Sequence, residues 1–428
     1  MSVRIRAGTV SIPPDTPTTV GGHRPGLSYD VGTDPLEANA LILSDDRARV
    51  DPIVIISLDV LYAGCDVEDQ IRRTVPELAN AHIWLCASHT HRAPMVDWTK
   101  PRIGTFEAAY ASRWGDALCQ LLADLVRTEP RIAEAVSIGE SRADHSVNRR
   151  RRRGLGARGA AHVRLGPNFR GARDETVSYL EFSGDGEVVA VVWSYACHPV
   201  GTPAARGVTS DYPGVLRSRL REGFGQRDLP VLFVQGASGN TRPRATSRRL
   251  RLSRRPPFLR VWPHFSDMSG REYDRWCHSL YRVLAQARSD RQRMDLAGVS
   301  AVSEAIPMEE LVHGGAPAGT DTMALQVASL HGPTTVTLIG VGAEVMAELG
   351  MDLRRELAPR RVLTVGCVNA TFGYLPSASM IDEGGYEGAG FCPLFGIAGV
   401  RAEAEAMVHR QALKLISALD GDSDRERE

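Results

Sequence analysis

The stretch HIWLCASHTHRAP, residues 82–94, begins as an apolar run and ends on two histidines. It reads as a β-strand covered on both faces that stops at a polar, chemistry-bearing turn. Similar apolar runs recur at 52–60 (PIVIISLDV), 176–182, 188–197 (VVAVVWSYAC), 229–236, 334–341 and 361–368. Between them, residues 105–127, 211–223, 269–289, 344–357 and 401–419 place apolar side chains at three- and four-residue spacing, as amphipathic helices do. Strands alternating with helices in this way predict an α/β protein of mixed β-sheets flanked by helices.

Composition narrows the function classes. The 428 residues are 43% hydrophobic and 24% charged, with 51 basic against 51 acidic side chains, so no net field draws the molecule to nucleic acid or to an anionic membrane. Lysine occurs only at Lys100 and Lys414, so single arginines carry little weight as signals. No apolar stretch is long enough for a signal peptide or a membrane span. The seven cysteines are odd in number and form no CxxC pair, the usage of reduced thiols in a cytoplasmic protein. Two arginine-rich segments, 148–154 and 242–257, are expected as loops.

The candidate chemistry lies at the ends of the apolar runs. His89 and His91 share one side of an extended chain. His198 follows the run 188–197, with Ser210-Asp211 downstream. Glu344 stands between a run and a helix, where capping alone would also favour a carboxylate. Tyr374 and Tyr386 sit in the Gly-rich VNATFGYLPSASMIDEGGYEGAG, either a plain loop or a pocket wall.

Taken in order, SHTHRAP, CHPVGTP with SDYPG, GAEVMAELG, and NATFGY with YEGAG resemble the catalytic domain of the neutral, non-lysosomal ceramidases. RAGTVSIPPDTP at the start, the LDV of Asp59 and Asn148-Arg149 are weaker echoes. The resemblance implies a neutral-ceramidase catalytic-domain-like fold as one domain over 1–420, followed by a polar tail at 421–428. It also implies one zinc ion per chain, held by His89, His198, Glu344 and Tyr374. His91, Arg149 and Tyr386 then match positions facing the substrate oxyanion or the departing group, while Asp211 is an alternative proton acceptor and Arg242 a further oxyanion partner. Asn148, Asn240 and Asn369 fall at substrate-binding positions.

The chain departs from the family at Gly342, where a proline is usual, and at Gly239-Asn240-Thr241-Arg242-Pro243, where the family reads Gly-Asp-x-Ser-Pro. The change excludes a serine nucleophile at 242. With no secretion signal and nothing matching the family's C-terminal β-domain, the substrate expected is a soluble small molecule, one that can carry an anionic group, rather than a membrane lipid. The expectation is therefore a zinc-dependent amidohydrolase that uses metal-activated water. Amide transfer or lactam closure on a biosynthetic intermediate is the first alternative, and a non-catalytic ligand-binding descendant the second. No nucleic-acid or membrane partner is expected.

Overall fold

The computed structural model describes residues 3–22, 27–32, 34–45, 51–153, 162–203, 207–252 and 259–425. Its frame is two facing β-sheets with helices on both outer sides. The large sheet runs in the order Val231–Gln235, Glu187–Tyr195, Thr176–Gly184, Arg131–Arg142, Val3–Ser11, Glu37–Asp45, Ile53–Leu58 and His82–Ala87, with Gln292–Asp295 added beside Arg131–Arg142. The second sheet is Gly298–Pro307, Thr322–His331, Val336–Val341 and Arg361–Val365.

Alternation along the strands shows why the apolar runs are unbroken. Ile53 and Ile55 join a cluster that spans both sheets, with Trp84, Leu338 and Val365. Val54, Ile56 and Leu58 point the other way, onto helices Val67–Thr74 and Ala108–Arg127. Each face of the strand is dry, so neither face tolerates polar residues. Helices Asp211–Phe224 and Gly270–Ser289 cover the far end of the large sheet through Trp193, Tyr212, Phe233 and Tyr273. Helices Ala347–Glu356 and Ala404–Arg425 cover the second sheet.

Three parallel neighbours, Ile53–Leu58 with His82–Ala87, Glu187–Tyr195 with Val231–Gln235, and Val336–Val341 with Arg361–Val365, carry the segments that follow them into one region. Ligands of open α/β sheets gather beyond the carboxyl ends of parallel strands.

The arginine-rich segments are not loops in the described residues. Ser146–Arg153 is a strand paired with Thr241–Pro243 and His162–Asn168. Thr246–Leu252 pairs with Leu259–Phe265, and residues 253–258 of the second segment lie outside the described residues. Arg149 and Arg150 are buried and face Glu387, so they form an interior ion network rather than a solvated rim. The terminal helix continues to Arg425, past the expected start of the tail at 421, and residues 426–428 lie outside the described residues.

Candidate metal centre

Each of the sharpest sequence signals sits just past a strand. His89 follows His82–Ala87 and holds a left-handed backbone, φ 65°. A non-glycine residue held in that region costs on the order of 1–3 kcal/mol, which the rest of the fold must offset. Asp211, Cys367 and Asn369 share this conformation at φ 57°, 55° and 52°. His198 ends the loop after Glu187–Tyr195. Glu344 and Tyr374 lie side by side in a two-residue parallel ladder, Glu344 to Tyr374 and Val345 to Leu375.

These turns bring three electron-pair donors together in the interior. His89 Nε2 is 3.2 Å from His198 Nε2, and Glu344 Oε2 is 3.4 Å from the first and 3.2 Å from the second. His89 Nδ1 is 3.1 Å from the Leu61 carbonyl and His198 Nδ1 is 2.9 Å from the Ser238 carbonyl. A carbonyl only accepts, so both Nδ1 atoms carry the proton and both Nε2 lone pairs face inward. Glu344 Oε2 is buried and has no hydrogen-bond donor.

Three buried lone-pair atoms at van der Waals distance repel one another unless a cation lies between them. The edges of a tetrahedron with metal–ligand arms of about 2.0–2.1 Å are about 3.3 Å, which matches the observed separations. The donor set therefore fits a divalent metal. Without one, a proton takes its place. Burial presses His89 towards the neutral form, but Cys367 and Glu344 outweigh it and hold the imidazole well above its ordinary value. Burial would raise Glu344, yet the two histidines hold it well below the usual carboxylate range. His198, depressed by burial and by Arg149, falls to about 4.

His91 completes the group: the ligand atoms of His89, His91 and His198 lie within 4.8 Å of one another, and the three could hold a metal ion. Its ring packs edge-on to His89, centroids 4.9 Å apart. Gly22, at φ 80°, lies against this ring so closely that a Cβ there would collide with it.

Around the donors stands a buried polar shell. Arg149 donates to Tyr374 Oη at 2.8 Å, to the Gly239 carbonyl at 2.8 Å and to Glu387 Oε1 at 2.6 Å. Burial opposes its charge, and Tyr374 with Glu387 more than restores it. The Tyr386 ring meets Tyr374 at 5.5 Å, and burial with Glu344 raises its hydroxyl to about 12. Tyr62, which sequence reasoning missed, donates to Glu344 Oε1 at 2.7 Å. Its only signal was position, three residues past Asp59 on a strand end that parallels the one bearing His89.

Four sequence-derived assignments have other tasks in the structure. Asn148 accepts from Arg150 N and donates to the Ala172 carbonyl. Asn240 donates to Glu348 and accepts from Ala347 N, fastening the start of the following helix. Asn369 bonds Leu85 N, the Ile83 carbonyl and Glu68. Asp211, fully buried, accepts from Thr202 N, Tyr212 N and Tyr273 Oη, which ties the His198 loop to its helix. The polar atoms of all four are thus engaged by backbone and side-chain partners of the fold itself. Arg242, by contrast, lines one small cavity with His91.

Fold and site together define a two-sheet α/β protein with a buried histidine–carboxylate centre that suits a metal. Two solved structures share that fold. One is a neutral ceramidase from Pseudomonas aeruginosa, 14% identical with a TM-score of 0.73 over 98% of this chain and 74% of the other. The other is a ceramidase complexed with C2, 15% identical with a TM-score of 0.71 over 99% of this chain and 76% of the other. The neutral ceramidase fold thus extends over nearly the whole chain. No family model and no curated protein matches the sequence. Among the described residues no helix is long and apolar enough to cross a membrane.

Proposed function

We propose that the protein is a metal-dependent hydrolase of C–N amide bonds in a soluble small molecule, with zinc as the ion. The observation that carries the reading is the inward triangle of His89 Nε2, His198 Nε2 and Glu344 Oε2, in which two tautomers are fixed by backbone carbonyls and the carboxylate oxygen has no donor. Tyr374 is the fourth donor, placed beside Glu344 by the short ladder.

A divalent ion held there supplies Lewis-acid polarisation of a carbonyl and brings the pKa of water towards neutrality. The chain's own groups do the rest. Arg149 is a permanent cation fixed on three acceptors, so its charge is preorganised for a developing oxyanion. Tyr386, with its proton held on by burial, is a neutral donor on the same side. His91 is the imidazole best placed to accept a proton and return it to the departing amine. Support for amide chemistry comes from the shared ceramidase fold, and the Arg242 found where that family carries serine leaves metal-assisted attack as the consistent route.

Elemental analysis of purified protein tests the reading first. About one zinc per chain, lost in His89→Ala and in Glu344→Ala, is expected. Wild-type protein that neither contains nor takes up a divalent metal would overturn it. With metal established, product mass distinguishes hydrolysis, which adds water, from ring closure, which does not.

A further inference from the structure

Arg242 stands apart from the other interior arginines. Arg149, Arg150 and Arg217 are each paired with a buried carboxylate. Among the described residues, none accepts a hydrogen bond from the Arg242 guanidinium, and its Nε is buried with no partner. The Phe265 ring covers one face at 4.4 Å, which fixes its plane and keeps water from that side. Its direct partner across the antiparallel ladder is Val147, two residues before the cationic Arg149. Burial and the repulsion of Arg149 lower its pKa to about 10, against a smaller opposing pull from Asp267.

The cavity that Arg242 faces is about 100 Å³ and is shared with His91, Arg92 and Thr202. Asp267 also lines it, exposed at the rim. A volume of roughly three waters admits a small oxyanion with a carbon or two and no acyl chain.

We infer that Arg242 and this cavity form a carboxylate-binding subsite beside the metal centre, and that the substrate is an amide bearing a carboxylate a few bonds from the scissile carbonyl, as in an N-acyl amino acid. The fork of Nε and Nη matches two coplanar oxygens, which a rigid guanidinium recognises better than a lysine does. His91 lines the same cavity and belongs to the histidine group, so one short molecule spans both. Arg242 here positions substrate; the oxyanion role remains with Arg149.

The inference rests on the hydrolase reading for its amide, and titration calorimetry with metal-loaded protein separates the two. The probes are N-acetylglycine, its neutral relative N-acetylglycinamide, and inorganic phosphate. Wild-type protein should bind the acid at least about tenfold more tightly than the neutral amide, a preference that Arg242→Met abolishes and Arg242→Lys only partly restores. Arg242→Met should also melt close to wild type in anion-poor buffer, because it removes a half-buried cation that makes no hydrogen bond to a carboxylate while an apolar chain can still cover Phe265. A preference that survives Arg242→Met, phosphate binding through Arg242 more tightly than the carboxylate, or a variant that melts well below wild type would each overturn the subsite. Acid binding through Arg242 by a protein that cleaves no amide keeps the subsite and ends the hydrolase reading. Equal cleavage of acid and neutral amides does the reverse.

Discussion

Replacing Tyr62 by phenylalanine removes one oxygen and leaves the ring in place, so it isolates the 2.7 Å bond to Glu344 Oε1. That bond is buried, and its acceptor is a carboxylate whose other oxygen faces the two histidines. Burial and then Glu344 itself raise the Tyr62 hydroxyl well above its ordinary value, so it remains a donor throughout the working pH range. A hydrogen bond to a charged acceptor contributes about 1.5–3 kcal/mol, and its loss leaves Oε1 buried and unpaired. Outer-shell partners of metal ligands change metal affinity by about 10–100-fold when removed. Tyr62→Phe is therefore expected to weaken zinc binding by that range while the fold persists. A competition titration against a chromophoric chelator measures the affinity, and circular dichroism confirms the fold. A folded variant with wild-type zinc affinity would refute the argument that Tyr62 holds Glu344 in its ligating pose.

Three further outcomes follow from the same geometry. Gly22→Ala puts a methyl into the His91 ring at a positive φ, which costs on the order of 1 kcal/mol in backbone alone; it should lower amide turnover with metal content unchanged, and a fully active variant would show that His91 is not where the chemistry needs it. Asp211→Asn should destabilise by about 1–3 kcal/mol in urea unfolding while leaving the shape of the pH–rate profile intact, and a lost ionisation in that profile would restore Asp211 as a proton acceptor. Glu37 is depressed below its ordinary 4.5 because, against burial, Arg217 and Arg221 favour its charge. A depressed carboxylate stabilises above its unfolded value and loses that contribution as pH falls through the folded one. Urea midpoints should accordingly fall between about pH 5 and pH 3, less steeply in Glu37→Gln, and equal slopes would remove Glu37 as the cause.

Much of the frame was legible because the central strands are buried on both faces. The run 52–60 contains the strand Ile53–Leu58, and 211–223 matches the helix Asp211–Phe224 almost end to end. The first strand, Val3–Ser11, passed unrecognised as structure because its arginines interrupt the apolar pattern, although it lies mid-sheet between Arg131–Arg142 and Glu37–Asp45. The segment 148–154 read as a loop because Glu387, the partner of Arg149 and Arg150, is more than two hundred residues away.

For the site, sequence alone determined the residue types. His89, His198 and Glu344 each close an apolar run, and local order reveals a strand end. Which atoms converge was decided only by tertiary structure, since a lone-pair triangle depends on three turns from two sheets and on two backbone carbonyls that set the tautomers. The same dependence sets the partners of Asp211, Asn148, Asn240 and Asn369, whose polar atoms meet backbone and side-chain groups that no spacing rule places beside them. It also singled out Arg242 among 51 basic residues, because a guanidinium nitrogen buried with no hydrogen-bond partner is a property of surroundings and not of sequence.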